Sequence, residues 1–168
     1  LERSAGGELL APTRELLARA ADEIDALVDE VKRIVRDLRP TALDQLGFVE
    51  AVTEFARSVS GELDVRISVP RTPLDLPAVI EVAAYRIVTE AMTNVVRHAR
   101  AMRCWLTITT GDHVDIHVVD DGVGIDGAEH EGVGWAAMRE RVAELGGTFA
   151  VGPNAPRGTH LHVELPVM

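Results

Sequence analysis

The chain has 168 residues, of which 46% are hydrophobic and 26% charged, and its formal net charge is −10. That length supports one sizeable core and not two, and the acidic balance argues against a broad nucleic-acid or anionic-membrane surface while leaving room for a small basic pocket. Cys104 is the sole cysteine, which excludes an internal disulfide or a thiolate metal cluster, and no apolar run approaches the ~20 residues of a membrane span. No signal peptide is visible. These features suit a reducing cytoplasm. A first residue Leu1 in place of Met predicts a fragment or a processed product. Aromatics are 4% of the chain, so aliphatic side chains must fill the core.

Residues 16–38 read as one long helix. Leu16, Ala20, Ile24, Leu27, Val31, Ile34 and Leu38 recur at spacings of three and four, a heptad-like seam that favours a partner helix. Packing on its own domain is the plainer reading of the same seam. Pro40 ends that helix, because proline disfavours helical geometry in the residue before it. A second helix is expected over 44–59, closed by Gly61. Val65, Ile67 and Val69 alternate with polar residues and predict a strand. A third helix is expected over 77–99, with Pro77 in its first turn. Cys104, Leu106 and Ile108, then Val114, Ile116 and Val118, alternate as two strands joined by a Gly111-Asp112 turn. A helix over 134–145 ends at Gly146-Gly147, and strands over 148–151 and 159–165 close the chain. This order predicts an α+β two-layer sandwich, a mixed β-sheet with helices on one face.

Chemistry-bearing residues concentrate in four places. On the third helix, Glu90, Asn94 and Arg97 share a narrow arc at about 100° per residue, with His98 at its edge. Ile80, Ala84, Ile87, Ala91 and Val95 form the adjoining apolar stripe, so the polar arc borders the core. An Arg86–Glu90 ion pair with an incidental Asn94 is the plain alternative. Asp120-Asp121-Gly122-Val123-Gly124 follows a strand. The Asp120 carboxylate can accept a bond from an amino group such as adenine's, and the glycines let a ligand approach the backbone. A simple turn is the alternative. Gly132-Val133-Gly134 opens a helix, where exposed N–H groups and the macrodipole favour a polyphosphate; it is neither a Walker loop nor a dinucleotide fingerprint. Gly158-Thr159 precedes the last strand. His113, His117, His160 and His162 alternate with apolar residues, and without a third ligand at a sensible spacing they read as surface residues.

Together these segments resemble the nucleotide-binding fold shared by histidine kinases, gyrase-type ATPases, ninety-kilodalton heat-shock chaperones and mismatch-repair ATPases. The closer similarity is to two-component sensor histidine kinases of the nitrate-sensor/desaturase-sensor type. It rests on VRDLRPTAL at 35–43 with Leu46-Gly47, on YRIVTEAMTNVVRHA at 85–99, which looks like the family's N box, and on Gly132-Val133-Gly134 followed by MRERV at 138–142 and Leu145-Gly146-Gly147. It covers roughly residues 30–168.

The resemblance implies an ATP-dependent protein-histidine kinase with ATP and Mg²⁺ as ligands. Asn94 matches the Mg²⁺ ligand, and Glu90 the acidic residue acting near the γ-phosphate. Arg97 and His98 match basic positions near the phosphates. Asp120 matches the reader of the adenine amino group, Thr159 a residue helping to hold the adenine, and Gly122, Gly124, Gly132 and Gly134 the glycines of pocket and lid. Residues 125–131 match the lid itself. The implied organisation is a partial dimerisation helix over 1–40 and a catalytic ATP-binding domain over 41–168. The implied partners are a phosphoacceptor domain and a response regulator, within a homodimeric parent protein and with no nucleic acid. Two departures stand out. The second glycine box reads Gly134-Trp135-Ala136-Ala137-Met138 where the family has Gly-Leu-x-Gly-Met, and the first histidine is His98, so the phosphoacceptor motif is missing. The chain is therefore expected to bind ATP without autophosphorylating. Two rivals are a same-fold anti-sigma serine kinase or ATPase, and a non-catalytic interaction module with a decayed nucleotide site.

Overall fold

The computed structural model describes residues 39–70, 74–125 and 133–167. The heptad helix expected over 16–38 and Gly132 lie outside them, as does the expected lid beyond Ile125. Residues Pro40–Met168 form one compact unit, and the architecture below is that unit's.

After Pro40 come α1 (Thr41–Leu46) and α2 (Phe48–Ser60), then β1 (Asp64–Ser68) and α3 (Ala78–Asn94). A π-helical turn, Val95–Ala99, continues α3 directly. The hairpin β2 (Arg103–Thr110) and β3 (His113–Asp120) follows, then α4 (Val133–Glu144), β4 (Thr148–Pro153) and β5 (Thr159–Pro166). The sheet order is β1-β2-β3-β5-β4. β1 pairs parallel with β2, and the other pairs are antiparallel, so the sheet is mixed, as the sequence predicts.

Two helical expectations need correction. The single helix over 44–59 is two helices, broken at Gly47, whose φ of 74° lies outside helical space. The helix over 77–99 is α-helical only to Asn94. Its last turn widens to π geometry and stops at Arg100, which is left-handed with φ 49°.

Strand alternation sorts the sheet into two faces. Cys104, Leu106 and Ile108 of β2, Val114, Ile116 and Val118 of β3, and Leu161, Val163 and Leu165 of β5 are all buried. Cross-strand register stacks them, Leu106 opposite Val118 and Val118 opposite Leu161. Against this row pack Ala51, Val52 and Ala56 of α2, Ala84, Ile87, Val88 and Ala91 of α3, and Met138 and Val142 of α4. Alanines on α2 and α3 let helix backbone approach the sheet, and each large aliphatic side chain buried here contributes roughly 1.5–3 kcal/mol. Cys104 belongs to this packing. Its Sγ lies 3.7 Å from Met92 Sδ; burial first, then the carboxylates of Asp120 and Asp121, push its thiol up to about 12. A thiol so held stays protonated and inert.

The opposite face has no such row. His113 is exposed at the start of β3, while His117, His160 and His162 are half-buried and stack as a group. Burial, then the imidazoles of His162 and His160, hold His117 below the ordinary histidine range.

Candidate functional site

The helical layer does not cover the whole buried face. Where α3 ends, a cleft of about 600 Å³ opens between the helix and the ends of β3 and β5. Glu90 and Asn94, one helical turn apart, line it from the helix, and Arg97, His98 and Ala99 line it from the π turn. The position of these residues follows from the apolar stripe of α3. Ile87, Ala91 and Val95 are buried in the core, which turns the neighbouring arc toward the cleft. The π turn re-aims the basic pair Arg97 and His98, both of which are exposed. The Arg97 guanidinium puts a positive charge on this wall of the cleft.

The floor is made by the strand ends. Val118 and Leu161 supply apolar walls, and Asp120 and Thr159 stand one step further along the same inward-facing rows. Asp120 is 2% exposed and Thr159 8%, the two buried polar side chains of the described core. Asp120 Oδ1 accepts the N–H of Gly122 at 2.7 Å. An ionised carboxylate offers about four acceptor sites, so the group retains capacity toward a donor in the cleft. A buried carboxylate with one hydrogen-bond donor among the described residues is a costly arrangement for stability alone.

Four further hydrogen bonds hold this strand end in place. Asn154 Nδ2 donates to the Asp120 carbonyl at 3.0 Å. Asp121 Oδ1 accepts the N–H groups of Met102 and Arg103, at 2.8 and 2.9 Å. The Arg103 bond, then that from Met102, holds the Asp121 carboxyl below the usual carboxylate range, against an opposing desolvation effect. Val123 N–H donates to the Ala99 carbonyl at 2.8 Å, tying the glycine segment to the end of the π turn. A Cβ on Gly122 would collide with that same Ala99 carbonyl. Gly122 is buried and outside the cleft lining, so its missing side chain serves this close backbone approach.

The fourth wall is the start of α4. A Cβ on Gly134 would collide with the Glu90 carboxylate and lie 3.7 Å from Asn94 Nδ2. Any larger residue at 134 would displace the Glu90 carboxylate from its place against the helix start. Trp135 also lines the cleft. Its ring sits edge-on to Phe149 with centroids 6.2 Å apart, and the Arg139 guanidinium carbon lies 5.5 Å from the Phe149 centroid. The bulky departure at 135 is thus accommodated by packing on β4.

The cleft brings together Glu90, Asn94, Arg97, His98, Asp120, Gly124, Gly134 and Thr159. Thr93 and Val123, to which sequence reading assigns no role, also line it, as does Ile125, the first residue of the expected lid. Thr93 lies within the N-box stretch beside Asn94, so position alone could have nominated it. The tie from Asn154 has no such signal, because it depends on the β4–β5 hairpin returning to Asp120.

Residues 79–168 match the model of the histidine kinase-, DNA gyrase B-, and HSP90-like ATPase family. The sensor histidine kinase NarS of Mycobacterium tuberculosis is 32% identical over 95% of this chain and 39% of its own length. The histidine-protein kinase/phosphatase UhpB of Salmonella typhimurium is 34% identical over 82% of this chain and 28% of its own. The chain therefore spans well under half of either protein. Among solved structures, the blue-light activated histidine kinase of Erythrobacter litoralis EL346 is similar in fold, with a TM-score of 0.62 at 22% identity over 98% of this chain and 52% of that one.

Proposed function

Because the chain belongs to the histidine kinase-, DNA gyrase B- and HSP90-like ATPase family and carries the ATP-binding catalytic domain of a sensor histidine kinase, we propose that its cleft grips ATP for phosphoryl transfer to a histidine on a dimerisation domain. The observation that carries this reading is one shared cavity: Asn94 and Glu90 from a helix and Asp120 from a strand end line the same cleft of about 600 Å³.

Asp120 accepts the adenine amino group at the buried end, and Thr159 beside it supplies a hydroxyl. Val118 and Leu161 take the faces of the base. The triphosphate extends toward Asn94, Arg97, His98 and the N-terminus of α4, where positive charge and backbone N–H groups gather. The donor set fits Mg²⁺, which takes hard oxygen ligands and only one or two of them from protein. Asn94 offers its amide oxygen there, with the Glu90 carboxylate one turn away. Bound Mg²⁺ neutralises charge on the phosphates. Glu90 orients the incoming imidazole and holds its proton near the γ-phosphate. Catalysis of this kind is mainly positioning and charge compensation.

The acceptor histidine belongs to a dimerisation domain, of which residues 1–40 are part, with residues 41–168 as the catalytic unit. The parent protein acts as a homodimer in the cytoplasm and passes the phosphoryl group on to an aspartate of a response regulator. Among the described residues, no helix is long and apolar enough to cross a membrane.

Calorimetric titration with Mg–ATP tests the cleft. The parent chain binds one equivalent, and Asn94→Asp, which sets a second carboxylate against the phosphates, lowers affinity by at least about 100-fold, or ~2.7 kcal/mol. Unchanged affinity would refute the assignment. A separately supplied dimerisation domain then gains an acid-labile phosphate only when the parent chain is present.

A further inference from the structure

We propose that the open face of the sheet carries a site for a divalent transition-metal cation of the zinc class, held by Asp115, His117 and His162. β3 places Asp115 and His117 two residues apart on one face, and antiparallel register sets His162 directly opposite His117 and Glu164 opposite Asp115. Linear spacing conceals this set, because the two histidines lie 45 positions apart.

One ligand atom from each of Asp115, His117 and His162 lies within 4.8 Å of the others. His162 Nε2 is 3.5 Å from Asp115 Oδ1 and 3.8 Å from Glu164 Oε1. His117 Nδ1 is 3.0 Å from Nε2 of His160, a flanking third imidazole. Bonds of about 2.0–2.2 Å in a tetrahedral zinc site put donor atoms roughly 3.3–3.5 Å apart. The observed separations reach that spacing by small side-chain rotations. Room for them exists, since the side chains of His162, Asp115 and Glu164 are 31%, 33% and 42% exposed. Two imidazoles with carboxylates favour Zn²⁺, Ni²⁺ or Cu²⁺ over the all-oxygen preference of Mg²⁺ and Ca²⁺.

The site is separate from the nucleotide cleft. Asp115 and His117 alternate with Val114, Ile116 and Val118, which face the core, and Asp120 continues the core-facing row. The two cation sites would lie on opposite faces of the same strands.

Zinc titration of the whole chain, without nucleotide, tests the proposal, read by calorimetry and by the imidazole NMR signals. The parent chain takes up one equivalent at this face, and the ring signals of His117 and His162 shift while that of His113 stays in place. Loss of an outer-shell partner alone costs about 10–100-fold in metal affinity. The double substitution His117→Ala, His162→Ala should therefore lose at least about tenfold, and His113→Ala nothing. Asp115→Asn should weaken binding by a smaller factor. Undiminished affinity in the double variant, or unmoved His117 and His162 signals at saturating zinc, would overturn the proposal. If the double variant does not fold, the ring signals of the parent chain decide alone.

Discussion

The two faces of one sheet, built from alternate residues of the same strands, behave as different materials. On the inner face every position of β3 and β5 from Val114 to Asp120 and from Thr159 to Leu165 is closed over by helices or by the cleft. On the outer face the intervening residues are half-exposed, and polar types dominate. A polar residue on the outer face is ordinary; one on the inner face needs a reason. Asp120 and Thr159 are the two that break the inner row, and they do so where α3 has ended and the cleft begins. The contrast between the faces therefore picks out the floor of the cleft without reference to any motif.

The largest effect expected from this contrast is on stability. Leu106→Ala, in the inner row, should cost about 2–5 kcal/mol, whereas Thr107→Ala, its outer neighbour, should stay within about 0.5 kcal/mol. Urea unfolding of both variants measures the gap; equal midpoints would erase the distinction between the faces.

Next in size is the contact of α4 on α3. Gly134→Ala forces a methyl group into the space held by the Glu90 carboxylate. Nucleotide affinity should drop by about tenfold, or ~1.4 kcal/mol, with circular dichroism unchanged. The double variant with Glu90→Ala removes the collision and separates crowding from lost chemistry.

The smallest effect belongs to the brace under the cleft. Asp121 has its folded-state pKa depressed by the Arg103 and Met102 N–H bonds. The unfolded chain then binds protons more readily, so the stabilisation is complete above the ordinary carboxyl value and disappears as pH falls through the folded value. Asp121→Asn should be less stable than the parent chain near neutrality and converge with it in acid. Parallel curves across that range would assign the brace no electrostatic role.

Periodicity made most of the architecture legible. Alternation in Cys104–Leu106–Ile108, Val114–Ile116–Val118 and Leu161–Val163–Leu165 identified the strands and their inward face. The 3.6-residue stripe on α3 identified the arc bearing Glu90 and Asn94. What escaped has physical causes. Gly47 interrupts a helix through a positive φ, and a lone glycine inside an apolar helical stripe can either be carried by the helix or break it. The π turn at Val95–Ala99 changes hydrogen-bond pairing and leaves hydrophobic spacing almost untouched. The histidine cluster and the Asn154 tie depend on cross-strand register, which no linear spacing encodes.

The most direct measurement is the binding of Mg–ATP against Mg–GTP to the parent chain and to Asp120→Asn. A carboxylate that reads an amino group should favour ATP by about tenfold or more, and the amide should lose most of that preference. An Asp120→Asn chain that binds ATP as tightly and as selectively as its parent would contradict the account.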